Sequence, residues 1–156
     1  MSRLRLGETL AGLGAIALFV LLFLNWFSGG GVSRSGWSSL GWALVILLAA
    51  VIVLALVVPT AAIVRAHPAV AVGSAVITIA LGFVTFVVAL IRVLITQPAL
   101  DLGLGNGAVS VQVAGYLGLA ALALIVAGGW ITIADERTEA PESAYTPPPP
   151  RPLPNA

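Results

Sequence analysis

Arg92 lies inside a long apolar stretch of the sequence, where charged residues are rare. A charge within membrane hydrocarbon is costly, and such residues commonly mark functional sites. Polar residues from other segments are expected on the same side of the membrane: Asn25, Asp101, Gln112 and Tyr116. The sequence therefore predicts a polar cluster that binds an anionic lipid headgroup or fixes the helices in register. The alternative is that Arg92 only extends its guanidinium to the nearby interface.

The rest of the sequence offers little for catalysis or metal binding. His67 is the only histidine, it has no carboxylate nearby in the sequence, and the chain has no cysteine. Acid–base catalysis and metal sites both need partner groups, and the Ser and Thr residues of the apolar segments lack a matched base. The glycines of segment 103–107 follow no strand and precede no lysine, so they do not form a phosphate-binding loop. We expect no enzymatic activity, no cofactor and no metal.

The composition indicates an integral membrane protein. Hydrophobic residues make up 60% of the 156-residue chain and charged residues 8%, against about 45–50% and about 25% in soluble domains. A soluble fold of this size has too small an interior to bury that apolar surface. The net charge is +1, from seven arginines and no lysine against six acidic residues. The arginines form no basic patch, so nucleic acid is not an expected partner.

Four apolar segments are each long enough to cross a membrane, which takes about 20 residues. We predict an all-α bundle of four transmembrane helices, up-down-up-down, within residues 1–134. The predicted helices are about 9–28, 39–65, 69–96 and 110–134. A signal peptide is the competing interpretation of the first segment, but no convincing cleavage site follows it. The Pro-rich segment 135–156 is predicted to be a disordered cytoplasmic tail.

The placement of the arginines predicts the orientation of the helices. Short cytoplasmic loops carry an excess of Lys and Arg. With both termini cytoplasmic, and with Arg151 of the distal tail not counted, four arginines lie inside and two outside: Arg3, Arg5, Arg65 and Arg137 against Arg34 and Arg92. The expected location is therefore the cytoplasmic membrane, with several passes. Trp26, Trp37 and Trp42 are expected at the outer interface, where aromatic side chains are enriched.

Periodicity predicts which helix faces pack together. In the third helix the polar residues fall within an arc of about 40°, and Gly82 lies in the same stripe. In the fourth helix small residues recur at alternating spacings of four and three, as close helix packing in lipid requires. The first helix has a weaker stripe that includes Gly7, Ala11 and Gly14. The predicted packing face is Ser74, Thr78, Gly82, Thr85, Ala114, Gly118, Ala121 and Gly128.

Short motifs in the chain resemble those of small four-helix membrane proteins of high-GC bacteria, a group with no assigned function. The motifs are Leu24-Asn25-Trp26-Phe27, Ser35-Gly36-Trp37, and Gly128-Gly129-Trp130 followed by Asp135-Glu136. The resemblance covers most of residues 1–137. It implies a four-helix membrane fold, and it implies no activity or site.

Two functions remain open from the sequence. The first is a non-enzymatic structural or protein-interaction role in the cytoplasmic membrane, with the lipid bilayer and a membrane-protein partner or second copy as partners. The second is a small transporter or channel subunit that works as an oligomer. Ion- or proton-coupled carriers usually need buried acidic residues and a pair of broken helices. We expect neither in this chain, so the first function is favoured.

Overall fold

The computed structural model describes residues 5–64, 68–100, 103 and 105–138. The prediction of a mostly helical chain is confirmed. The five helices among these residues are α1 (Leu6–Leu21), α2 (Gly36–Ser39), α3 (Trp42–Ile63), α4 (Pro68–Leu94) and α5 (Val113–Thr138). Three short strands, which the sequence analysis did not predict, are β1 (Asn25–Gly29), β2 (Val32–Ser35) and β3 (Ser110–Val111). A single 3-10 turn, Asn106–Ala108, precedes β3.

Three of the helices are long and apolar enough to cross a membrane. The segments are Trp42–Ala61 of α3, Val72–Leu94 of α4 and Val113–Asp135 of α5. The remaining long helix, α1, has 16 residues and a length of about 24 Å at 1.5 Å per residue. It is apolar but shorter than the other three.

The four long helices pack side by side in the order α1, α3, α4, α5, with α5 also against α1. In the α1–α5 pair, Gly7 lies against Thr132 and Gly14 lies against Ala121, so these two helices run antiparallel. Helix α5 also runs antiparallel to α4, because Gly129 lies against Ile79 while the later α4 residue Phe86 shares a groove with the earlier α5 residue Ala123. The interior between the helices is a continuous apolar core.

The first helix is shorter than predicted, and the prediction of a helix over 9–28 is corrected. Helix α1 ends at Leu21, and the chain turns and enters β1 at Asn25. The turn is held from outside the helix, because the N–H groups of Gly36 and Trp37 donate to the carbonyls of Leu24 and Leu22. These partners are distant in sequence, which explains why an unbroken apolar run gave no sign of the helix end.

Strands β1 and β2 form a hairpin where a loop was predicted. The connecting residues Gly30 and Gly31 both have positive φ angles, 57° and 79°. Two such residues build the tight turn whose twist matches paired strands, and glycine adopts that conformation without strain. Strand β3 pairs with the other edge of β1, so the antiparallel sheet has the order β2-β1-β3. The sheet joins the loop after α1 to the segment that enters α5.

The start of α1 also corrects the expectation that the helices carry no buried acidic residue. Because α1 begins at Leu6, Glu8 belongs to its first turn, and its side chain is only 7% exposed. One carboxylate oxygen accepts a hydrogen bond of 2.9 Å from the backbone N–H of Arg5. The predicted helix began at about residue 9, which left Glu8 outside the bundle.

Several sequence-based predictions fall outside the described residues. They concern Asp101 of the polar cluster, Arg3 and Arg65 of the charge pattern, His67, and the predicted tail beyond residue 138. The predicted transmembrane crossing of all four helices and the position of the termini are taken up under the proposed function.

Candidate functional site

The strands meet the helices at one end of the bundle, around Gln112. Its backbone N–H donates to the carbonyl of Trp26 at 2.8 Å, and its side-chain amide donates to the hydroxyl of Ser28. The hydroxyls of Ser28 and Ser110 lie 2.9 Å apart and share a hydrogen bond. Gln112 thus fastens the beginning of α5 to the central strand β1. Its role is to hold local structure together.

Trp26 is the buried centre of this end of the molecule. A bulge in β1 after Asn25 breaks the alternation of the strand, so that Trp26 and Phe27 both point inward and are 1% and 0% exposed. The indole Nε1 donates to the carbonyl of Leu21 at 2.8 Å, which satisfies one of the free carbonyls at the end of α1. Trp26 therefore does not present its ring to lipid or water, as was expected of an aromatic anchor at a membrane interface.

Glycine residues make the space that Trp26 occupies. A Cβ atom on Gly118 would overlap Cζ2 of the indole, and one on Gly36 would lie 3.0 Å from its Nε1. At Gly118 the ring would have to move, and at Gly36 the contact would be tighter than side chains normally make, so both positions favour glycine. Gly118 was predicted to pack against another helix, and in the structure its neighbour is the side chain of Trp26.

Arg92 lies in a different place, at a groove between the start of α3 and the end of α4. The groove has a volume of about 370 Å³, and Leu44, Leu47 and Val88 contribute to its apolar lining. Arg92 is partly exposed, and its Nη1 donates to the carbonyl of Thr96 at 2.9 Å. Among the described residues this is its one hydrogen bond, and no carboxylate lies in the groove lining.

The described residues of the predicted polar cluster, which exclude Asp101, therefore have separate hydrogen-bond and packing partners. Asn25 is exposed at the start of β1, where it pairs with Ser35 of β2. Tyr116 is 53% exposed on α5, and Gln112 binds Ser28. The reason for the separation is the early end of α1, because Asn25 is carried into the sheet and does not end a helix beside Arg92.

The predicted packing face of the third helix is buried in α4. Ser74 is 9% exposed, Thr78 and Thr85 are 0% exposed, and Gly82 is buried. The hydroxyls of Thr78 and Thr85 donate to the carbonyls of Ser74 and Leu81, each at 2.7 Å. These acceptors belong to the same helix, one turn earlier. The two hydroxyls are thereby satisfied without a partner on another helix or a bound solute.

The predicted face of α5 is also buried, and its C-terminal part, Ala121 to Gly128, packs against α1. Ala114, Gly118, Ala121 and Gly128 are all buried. A Cβ atom on Gly128 would lie 2.5 Å from the backbone nitrogen of Ala11. Backbone therefore touches backbone where α1 crosses α5. The stripe of the first helix was a weaker pattern than those of the third and fourth helices, and its glycine Gly7 brings α1 against the backbone of α5.

The described residues contain no group of three or more His, Asp or Glu side chains placed to hold a metal ion. Comparison of the chain with protein-family models, curated protein sequences and solved structures finds no match to any of them. Two places in the described structure have polar side chains that could bind a ligand. One is the Gln112–Ser28 junction, whose groups bind each other, and the other is the Arg92 groove, whose guanidinium has donors to spare.

Proposed function

We propose that the chain is a non-enzymatic integral membrane protein with a structural or protein-interaction role in the cytoplasmic membrane. In this proposal all four long helices cross the bilayer, up-down-up-down, with both termini on the cytoplasmic side. The sheet of β1, β2 and β3 then lies at the outer surface. The bundle would present a fixed shape to the lipid and to a membrane-protein partner or a second copy.

The packing of the bundle interior is the observation that carries this proposal. Glycines bring α1 and α5 into backbone contact at Gly7 and Gly128, and the core between the helices is apolar. The buried hydroxyls of Thr78, Thr85 and Thr132 donate within their own helices. A path for ions or polar solutes needs groups that can replace water around the solute. Each of these hydroxyls has already used its one O–H donor within its helix, so it has none left to offer an anion or another hydrogen-bond acceptor.

The outer surface of the helices supports insertion into lipid. Large apolar side chains are exposed on every long helix, including Phe19 on α1, Ile46 on α3, Phe83 on α4 and Leu117 on α5. Helix α1 alone, at about 24 Å, is shorter than the roughly 30 Å of hydrocarbon. The turn that follows it is also apolar and exposed, with Phe23 61% exposed and Leu24 50% exposed, and it lengthens the lipid-facing surface of this crossing.

Single cysteines test the orientation, because the chain has none of its own. Ser33→Cys places a thiol on the exposed side of β2, and Ser143→Cys places one in the C-terminal segment. With a membrane-impermeant maleimide on intact cells, we expect labelling of the Ser33→Cys protein alone. The Ser143→Cys protein should be labelled only after permeabilisation. The reverse pattern, or release of the protein by alkaline carbonate, would contradict the proposed crossing.

A small transporter or channel subunit remains the second candidate, and one observation favours it. Glu8 is a buried carboxylate at the start of α1, and ionisable residues inside membrane proteins often mark proton or ion pathways. Its acceptance of the Arg5 N–H is typical of a helix start, where an acidic side chain binds a free backbone donor. That contact explains why Glu8 is present without any transport role.

Reconstitution in liposomes separates the two candidates. For the interaction protein we expect no protein-dependent flux of protons, sodium or potassium, and we expect crosslinking in native membranes to give one defined partner or a homo-oligomer, identified by mass spectrometry. Flux that depends on the protein and is lost in Glu8→Gln would establish the transporter instead. Glu8→Asp, which keeps the carboxylate, is the matched control for that loss.

A further inference from the structure

The groove that contains Arg92 joins a positive charge to an apolar channel between two helices. Leu44 and Leu47 come from α3 and Val88 comes from α4, and together they form part of an apolar lining. Arg92 and Thr96 lie at the end of α4. We propose that this groove binds one anionic phospholipid, with its phosphate at Arg92 and an acyl chain along the apolar lining. The proposal rests on the membrane insertion proposed above.

Charge is the first reason for an anionic ligand. A guanidinium has five N–H donors in a planar fork that matches the oxygens of a phosphate. In the described residues one donor of Arg92 is used, by the carbonyl of Thr96. That bond comes from Nη1 and draws the side chain toward the end of its own helix. As far as the described residues go, the remaining donors are available to an external oxyanion.

The opposite side of the groove also favours an anion. It is formed by Gly41, which precedes α3, and by Trp42 and Ala43, the first two residues of that helix. The first N–H groups of a helix have no acceptor inside the helix, and Gly41 has no side chain to cap them. The positive end of the α3 dipole thus lies across the groove from the Arg92 side chain. The Arg92 charge and the α3 dipole therefore both attract an anion to this end of the groove.

The apolar lining is the reason to choose a lipid over a free phosphate. Val88 and Ile91 are each 41% exposed, and Trp42 is 80% exposed, on the outside of the bundle. A soluble anion would leave this surface uncovered, whereas an acyl chain would cover it. Trp side chains are enriched at the level of lipid headgroups, so Trp42 marks the depth at which a phosphate would meet Arg92.

The binding experiment uses the purified full chain in detergent. It is titrated with dioleoylphosphatidylglycerol, and bound lipid is counted by native mass spectrometry. We expect one phosphatidylglycerol to be retained. Dioleoylphosphatidylcholine has the same phosphate, but its trimethylammonium group makes the headgroup neutral and places a second positive charge near Arg92, so we expect it to bind about tenfold more weakly. Excess inorganic phosphate should not displace the lipid. Equal binding of the two lipids, or displacement by phosphate, would overturn the proposal.

Three variants locate the site. Arg92→Gln removes the charge and should weaken phosphatidylglycerol binding about tenfold. Val88→Trp fills the groove without changing charge and should also lower retention. Arg34→Gln, on β2 at the same end of the molecule, is the matched control for loss of one positive charge and should bind as the wild type does. Equal weakening by Arg34→Gln and Arg92→Gln would show non-specific attraction and overturn the site.

The outcomes distinguish the lipid site from the proposed membrane insertion. A chain released from membranes by alkaline carbonate would refute the insertion, whereas an inserted chain without lipid selectivity would refute only the site. If Arg92→Gln fails to fold, as judged by circular dichroism, Val88→Trp carries the test alone. Unchanged lipid retention in a folded Val88→Trp protein would overturn the proposal. A dimer that forms through α3 and α4 without lipid would also overturn it.

Discussion

Helices α1 and α5 touch through glycine backbones, whereas α3 and α4 leave a groove between them at one end. A Cβ atom on Gly7 would lie 2.5 Å from the backbone nitrogen of Thr132, and one on Gly128 would be equally close to Ala11. Between α3 and α4, the corresponding space near Arg92 holds about 370 Å³ of unfilled volume. The two sides of one small bundle therefore differ in how completely their surfaces fit.

The difference indicates which side holds the fold together and which side is free to bind. Apolar side chains gain little from leaving lipid, so helices in a membrane associate mainly through close van der Waals contact. Glycine contacts maximise that gain and leave no room for a ligand. Where a groove remains between two helices, part of this van der Waals contact is missing. The α3–α4 groove is also where the Arg92 guanidinium makes one hydrogen bond to the part of the chain that the structure describes.

The largest effect is expected from Trp26→Ala. Trp26 is 1% exposed, lies on Gly118 and donates to the carbonyl of Leu21. Its removal leaves a cavity and a free helix carbonyl, so we expect a loss of about 3–5 kcal/mol in unfolding free energy. The measurement is reversible unfolding in detergent by circular dichroism. Trp130→Ala is the control, because Trp130 is 68% exposed. Similar losses in both variants would contradict a buried role for Trp26.

A pair of glycine variants tests the α1–α5 contact directly. Gly128→Ala places a methyl group against the backbone of α1, and the helices must separate, so we expect a loss of about 1–3 kcal/mol. Gly73→Ala, in α4, meets no atom within 4 Å and should stabilise the helix by about 0.5–1 kcal/mol. The same unfolding experiment measures both. Equal effects would show that α1 and α5 are not held by backbone contact.

The helices and one packing face could be predicted because they depend on local patterns. The polar residues Ser74, Thr78 and Thr85 are few in an apolar helix, so their common face is evident, and all three are buried in the structure. Apolar length likewise predicted α3, α4 and α5. For these elements the sequence contains a repeating signal that is several turns long.

The sheet and the true neighbours of Arg92 could not be predicted in the same way. The end of α1 depends on hydrogen bonds from Gly36 and Trp37, more than ten residues away in the chain. The burial of Trp26 depends on a single-residue bulge, which has no periodic signature. The Gly30-Gly31 pair was a usable signal for a hairpin, since two glycines between short strands favour that turn. Glycine-rich composition was instead interpreted as a loop.

Two valines of α4 test whether the α3–α4 groove is open, and the substitution at the groove has the smallest expected effect. Val93 is 0% exposed, and Val88 is 41% exposed at the groove. Val93→Ala should lower the unfolding free energy by about 2 kcal/mol, because it removes buried methyl groups and leaves a cavity. Val88→Ala should change it by less than about 0.5 kcal/mol in detergent without phosphatidylglycerol. If Val88→Ala were as destabilising as Val93→Ala, the groove would be closed in solution and its volume would not be open to a lipid.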